Sequence, residues 1–454
     1  MTNSMTEGKV WKLILLFTLP IMAGNFLQQL YSTVDSIIVG NFAAHGQDAL
    51  AAVGTCTPVT FLFIAIAMGM SAGASILVSQ YFGARQMDEL RRAVSTSLIL
   101  LTGMGLVFSI VGGVIARWVL LNLLNVQDYL LADATAYFAI YCFGLVFQFI
   151  YNIVSSILRA LGDSKATLYF LLVSSVTNII LDLLFVAVFH WDVPGVAIAT
   201  VISQALSAAV SLFYMFKKYP ILRFAKGEFK YHKDMGLLAL KLGIPTTLQQ
   251  CVISFGHIAI QRLVNTFDIT AAYTAGMRIE SFVLIPIFGF NVGLATFTGQ
   301  NTGARRLDRV SQGLRDTMIM SAVSCVALAI FTYTAAPLLL GLFNLSGGNL
   351  DCGLEYLHFT APMYLFFCIY ITLNGVLQGA GDVIFTAVNT LTSLLLRCIA
   401  AYALAYLTPA GYAAAWISLP VGWIYSLVLA VIRYKMGAWR NKSVVQVKEE
   451  PQHG

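Results

Sequence analysis

Two carboxylates, Asp35 in YSTVDSIIVG and Asp182 in TNIILDLLFV, stand inside stretches that are otherwise apolar. Ionisable groups at such positions are costly in hydrocarbon, so each poses a functional question. Asn178 precedes Asp182 by one helical turn and shares its face. Thr200 in GVAIATVIS and Asn152 in FIYNIVSS add a hydroxyl and an amide. Two carboxylates in one dry pocket repel each other, which suits the pair to holding a proton that exchanges. Carboxylate, amide and hydroxyl oxygens together also make a hard-oxygen cage for an alkali cation such as Na+. An inter-helix hydrogen-bond clamp is the third reading, although Asn or Ser would serve there with far less desolvation cost.

The C-terminal half carries a different polar set: His257 in SFGHIAI, Arg278 and Glu280 in AGMRIESFV, and Arg397 in SLLLRCIAA. Residues two apart on a helix diverge by about 200°, so Arg278 and Glu280 do not pair on one face. Glu280 with Arg397 is the expected ion pair, with contact to a substrate as the alternative. His257 reads as a hydrogen-bonded packing residue or as a proton relay. No HExxH or GxSxG occurs, and the histidines are scattered, so no enzymatic constellation is expected. The seven cysteines include no CxxC, and all but Cys352 lie in apolar runs. They read as small hydrophobes, with no metal cluster and no organic cofactor expected.

The elements that must position these residues follow from composition. Of 454 residues, 58% are hydrophobic and 11% charged, with a mean hydropathy of +0.79. Soluble chains are about 25% charged. A soluble enzyme, a nucleic-acid binder and a disordered scaffold are thereby excluded, and a polytopic membrane protein in contact with the lipid bilayer is implied. A helix needs about 20 apolar residues to cross a bilayer. Uncharged runs of that order occur at 13–34, 49–84, 93–116, 134–158, 193–216, 242–261, 281–304, 317–350, 356–381 and 398–432. The first must extend past Asp35, 165–189 is a span interrupted by Asp182, and 383–407 is one interrupted by Arg397, leaving 408–432 for the last. The expected fold is therefore all-α with twelve transmembrane helices.

With the N-terminus inside, 23 of the 27 Lys and Arg fall in cytoplasmic segments, Arg117 and Arg262 outside, and Arg278 and Arg397 within spans. That bias places both termini in the cytoplasm. The starting segment MTNSMTEGKVWK is mostly polar and the run after it is too long for a signal peptide. Asp35 and Asp182 come late in outward-running spans and Thr200 early in an inward-running one, so all three share a depth. Asn152 fits that depth less well.

The chain also repeats itself. GMSAGASILVSQYFGAR at 69–85 matches GFNVGLATFTGQNTGAR at 289–305, and LRALGD at 158–163 matches LQGAGD at 377–382. Each half holds six spans, so the halves share one orientation and a pseudo-two-fold axis along the membrane normal. The expected organisation is an N-terminal lobe at 1–216, a basic linker at 217–241, a C-terminal lobe at 242–435 and a disordered polar tail at 436–454. Gly69/Gly73 and Gly289/Gly293 fit close helix packing or a bending point. The glycines of the GAR and GD turns are expected to supply positive φ.

Five segments carry a resemblance to a known family: LPIMAGNFLQQLYSTVDSIIVG, VSQYFGAR, ILRALGDSKAT, TNIILDLLF, and RIESFVLIPIFGF with GQNTGAR. Across nearly all of 10–435 the chain resembles the MATE (multidrug and toxic compound extrusion) family, in the bacterial branch that includes the DNA-damage-inducible protein F. The resemblance implies alternating access in the inner membrane and export of amphiphilic organic cations in exchange for H+ or Na+. It also implies a cation site at Asp35, Asn178, Asp182 and Thr200, with Asn152 a weaker match. A monomer is expected, and no nucleic acid. Flipping of a lipid-linked glycolipid is the rival function, which would want a basic central cavity; Arg278 and Arg397 are its only expected intramembrane cations.

Overall fold

In a bilayer every backbone N–H and C=O must be satisfied within the protein, which leaves continuous helices as the solution for an apolar chain of this kind. A computed structural model describes residues 4–42, 46–124, 126–343 and 345–445, and no strand occurs among them. Helix α1 runs Val10–Phe42, α2 Gly46–Gly83, α3 Met87–Trp118, α4 Asp128–Phe143, α5 Leu145–Ala160, α6 Ser164–Asp182 and α7 Asp192–Lys218. Helix α8 runs Lys233–Thr266, α9 Thr270–Val283, α10 Ile285–Gly303, α11 Leu307–Gly341, α12 Gly348–Gly379, α13 Val383–Leu407 and α14 Ala414–Lys435.

Ten helices, some lengthened by a short π or 3-10 turn, are long and apolar enough to cross a membrane; α4 with α5 and α9 with α10 bring the number to 12 when each bent pair is one span. The bends are 44° and 42°. The second falls where Pro286 opens α10 and offers no N–H to the preceding turn. At the first, Gly144 has no side chain, and Val201 of α7 packs 2.5 Å from where a β-carbon would stand. Large apolar side chains such as Val114, Leu338 and Leu407 face outward, as a lipid solvent requires.

The chain folds as two compact units. One comprises Pro20–Ser75 and Met87–Thr247, the other Met1–Leu19, Ile76–Gln86 and Leu248–Gly454. In the first, α3 packs on α4 and α5, and α7 on α4, α5 and α6. Asp163 anchors the GD turn there: it caps α6 by accepting from the Ala166 N–H at 3.3 Å and receives Lys218 Nζ at 2.7 Å and the hydroxyls of Tyr219 and Tyr214 at 2.9 and 3.0 Å. Gly69 and Gly73 allow the backbone of α8 at Thr247 and Gly243 to approach where a β-carbon would lie 2.4 Å away, so these glycines serve close packing.

In the other unit α8, α9 and α11 to α14 enclose a core around Trp416, Tyr356 and Tyr273. Its GD turn is fixed in the same manner, with Arg433 Nε and Nη2 donating to the two oxygens of Asp382 at 2.7 and 3.1 Å. The ends of α2 and α10 cross within this unit. A β-carbon on Gly83 would stand 1.9 Å from the Gln300 carbonyl, and one on Gly303 2.0 Å from that of Gln80. Gly162 and Gly381 do take positive φ, but in the two GAR turns it is Arg85 and Arg305 that adopt φ of 58° and 59°. The glycines of those turns are needed for proximity, so the left-handed residue falls two positions later.

The two repeat-related glutamines also hold the chain ends. Gln300 Oε1 accepts from the Met5 N–H at 2.7 Å. Gln80 donates to the Gly379 carbonyl at 3.0 Å and accepts from Val444 N–H at 2.8 Å and Ser443 Oγ at 3.1 Å. The tail is therefore ordered as far as Val445, because a buried amide oxygen requires donors; Gln446–Gly454 lie outside the described residues. Overpacking costs about 1–3 kcal/mol. Gly83→Ala or Gly303→Ala is expected to cost stability of that order, read as a lower thermal midpoint in detergent, whereas Gly54→Ala, inside α2 with open space around its β-carbon, does not lower it.

Candidate functional site

Helices α1, α4, α6 and α7 supply a cluster of polar side chains in the first unit. Asp35 lies on α1, and its carboxyl is within hydrogen-bond reach of that of Asp182, the last residue of α6. Asp182 is fully buried and Asn178, one turn earlier, is 1% exposed. Neither oxygen of Asp182, neither amide atom of Asn178 and not Oδ1 of Asp35 finds a hydrogen-bond partner by geometry among the described residues. A π-turn over Leu183–Val188 begins directly after Asp182, and such turns recur at functional sites.

Tyrosines surround the two acids. Tyr31, one turn before Asp35, lies beside Thr200 and feels the charge of both carboxylates. Thr200 Oγ1 itself donates to the Val196 carbonyl of its own helix at 3.0 Å. Tyr137 and Tyr141 of α4 stack with centroids 6.1 Å apart, and Tyr141 lies beside Gln204, one turn after Thr200. The structure thus brings Asp35, Asp182 and Thr200 together, with Asn178 on the Asp182 face of α6. Asn152 sits on α5 and donates Nδ2 to the Gln148 carbonyl at 2.8 Å. Sequence reasoning missed Tyr31, Tyr137, Tyr141 and Gln204. Their signal was present as spacings of four from Asp35, from each other and from Thr200, but tyrosine in an apolar span reads as packing.

Chemically, the cluster sets two acids side by side with hydroxyl and amide groups and, among the described residues, no cationic side chain hydrogen-bonded to either. Like charges this close need a proton or a cation between them. Carboxylate, hydroxyl and amide oxygens are the donor set that H+ or Na+ accepts.

The C-terminal polar residues form a separate group in the other unit. Glu280 is buried and accepts a hydrogen bond from the Tyr356 hydroxyl. Arg278, two residues away, is exposed, as their divergence on the helix demands. The expected ion pair of Glu280 with Arg397 is not direct: Arg397 acts on Glu280 through its field, lies beside Tyr273, and leaves Nε without a partner among the described residues. Tyr356 had not been considered from sequence, and its hydroxyl satisfies the carboxylate more cheaply than a desolvated guanidinium would. His257 on α8 feels the charge of Arg397 on α13; the two helices meet closely at Gly256 against Leu394.

A polytopic helical membrane protein built from repeated halves, with acids buried in one unit, has the architecture of a carrier. Comparison identifies the family. The MatE family model matches residues 20–184 and 245–403, more than half of the chain. The chain is 28% identical over 98% of both chains to the probable multidrug resistance protein YoeA of Bacillus subtilis. It is 29% identical to YpnP of the same organism, also named a probable multidrug resistance protein, over 96% of this chain and 97% of that one. It superposes with a TM-score of 0.89, at 22% identity and over 96% of this chain and 98% of the other, on an outward-facing multidrug resistance MATE family transporter.

The chain belongs to the MatE family. It is a multi-pass membrane transporter with the twelve-helix, two-lobe MATE fold, and not an enzyme. Losing a partner leaves a buried acceptor unsatisfied at about 1–3 kcal/mol. Tyr356→Phe is expected to destabilise the protein by that measure, read as a lower thermal midpoint, and Glu280→Gln alone, which keeps a neutral acceptor for the Tyr356 hydroxyl, to lower the midpoint less.

Proposed function

We propose that the protein is a multidrug exporter that couples inward movement of H+ or Na+ to outward movement of amphiphilic organic cations. The observation that carries this reading is the Asp35–Asp182 pair: two carboxyls within bonding reach near Asn178 and Thr200, Asp182 fully buried and Asp35 half-buried, with buried oxygens left unpartnered. Ion occupancy removes the repulsion between them. Since one acid of the pair stands on α1 and the other on α6, occupied and empty states would favour different packings of α1, and a ligand shifts a conformational equilibrium by its differential affinity for the two states. Asn178 and Thr200 would complete an oxygen shell for Na+, with Asn152, whose Nδ2 is engaged by the Gln148 carbonyl, as a weaker contributor. Glu280, Arg397 and His257 would serve as polar contacts for substrate in the C-terminal lobe.

The names of YoeA and YpnP support small-molecule drugs as the cargo. The bias of Lys and Arg supports both termini in the cytoplasm, and with bacterial relatives this supports residence in the inner membrane. The reading requires no cofactor beyond the coupling ion and a single copy of the chain, organised as lobes at 1–216 and 242–435 about the linker.

Transport of ethidium into everted vesicles, driven separately by a pH gradient and by a Na+ gradient, tests the proposal. One gradient is expected to drive uptake by the wild type, and Asp35→Asn and Asp182→Asn at equal abundance are each expected to reduce it at least tenfold. Asn152→Ala is expected to have a smaller effect than Thr200→Ala. Dye movement under neither gradient would overturn export as read here and make lipid flipping the next assay.

A further inference from the structure

The linker that follows α7 lies along the first turns of α3. Ser95 Oγ donates to the Lys230 carbonyl at 3.1 Å, the His232 N–H donates to Thr96 Oγ1 at 3.1 Å, and Arg92 Nη2 reaches Asp234 at 2.8 Å. One turn further along α3 an open apolar groove of about 500 Å³ begins, lined by Ile99, Leu100, Gly103, Met104 and Val107 and headed by Tyr231 of the linker. From Ile99 to Val107 it extends about 12 Å along the helix. Gly103 forms part of its floor, and a β-carbon there would meet nothing within 4 Å.

A groove on the lipid-facing side of a spanning helix is filled by acyl chain, and the charge at its mouth selects the headgroup. That charge is positive. The linker's acids are already paired from α3, Glu228 with Arg91 and Asp234 with Arg92, which also holds Glu89, so the lysines are the charge left over. Lys226, Lys230 and Lys233 are exposed, and no hydrogen bond or ion pair among the described residues holds their ammonium groups. Phe229 and Tyr231, interleaved with them, are also exposed, at 48% and 45%. Aromatic rings among unpaired lysines beside an apolar slot are suited to the interface between headgroups and chains.

We propose that this groove and linker form a binding site for one anionic phospholipid, with an acyl chain along Ile99–Val107 and the phosphate among Lys226, Lys230 and Lys233. Basic side chains close to an anionic surface each contribute about fivefold in affinity. The site is independent of the coupling ion and of the identity of the cargo.

The test is native mass spectrometry of the full chain in detergent micelles, titrated with phosphatidylglycerol or with phosphatidylcholine of the same chains. The wild type is expected to retain phosphatidylglycerol preferentially. Lys230→Gln/Lys233→Gln should lose roughly thirtyfold in affinity for it, with phosphatidylcholine unchanged. Gly103→Phe, which fills the groove, should weaken both lipids. Equal retention of the two lipids by the wild type, or undiminished preference in Lys230→Gln/Lys233→Gln, overturns the proposal. Displacement of the lipid by glycerol phosphate alone would assign the lysines to a soluble anion and overturn it likewise. If Gly103→Phe fails to fold, the lysine variant decides, since it alters only exposed side chains.

Discussion

A buried carboxyl without a donor is expensive, and Asp182 has neither oxygen bonded by geometry among the described residues. The other buried acids of the molecule are treated differently: Asp163 takes four donors, Asp382 a two-pronged arginine, and Glu280 a tyrosine hydroxyl. Those three are satisfied and fix the turns or helices that carry them. In the function proposed above, Asp182 and its neighbour Asp35 take their partner from the coupling ion. Satisfied polar groups rigidify and unsatisfied ones store free energy that an incoming ion releases.

That contrast sits on a duplicated frame. The GD turns of the two halves each tie the start of one helix to the end of the next through an acid and a base, Asp163 with Lys218 and Asp382 with Arg433. The paired glutamines Gln80 and Gln300 each take up a segment near one end of the chain. The repeat thus preserves the devices that hold helix ends. The acids within the spans are not repeated. Asp35 and Asp182 have no acidic counterparts at an offset near 220, where the sequence shows Ser254 to Phe255 and Ala401 to Tyr402. Duplication explains the scaffold, and divergence within it explains why one half alone carries an acid pair.

The surface follows the solvent. Apolar side chains face lipid along most helices, while charge collects at their ends and on the linker between α7 and α8. Along that linker the acids are spent on α3 and the lysines are not, so the balance of charge there is a product of folding as well as of composition.

Much of this was legible in the residues. Apolar runs of about 20 residues can only be helices in a bilayer, so length and hydropathy determined the number of spans. Asp35, Asp182 and Thr200 stood out by polarity and depth, whereas the compact units join Met1–Leu19 and Ile76–Gln86 to Leu248–Gly454, a division that the repeat alone does not give. What sequence could not decide was partnership, because a helical wheel gives the face of a residue and not what is packed against it. Glu280 bonds Tyr356 where Arg397 had been expected, since helix packing and not charge complementarity sets which group arrives first. Gly83 and Gly303 serve contact and the following arginines take the left-handed φ, because the crossing of α2 with α10 leaves no room for a side chain. The tyrosines around the acid pair were invisible for the same reason: their spacing is written in the chain, but only the convergence of α1, α4, α6 and α7 turns them from apolar filling into the wall of a site.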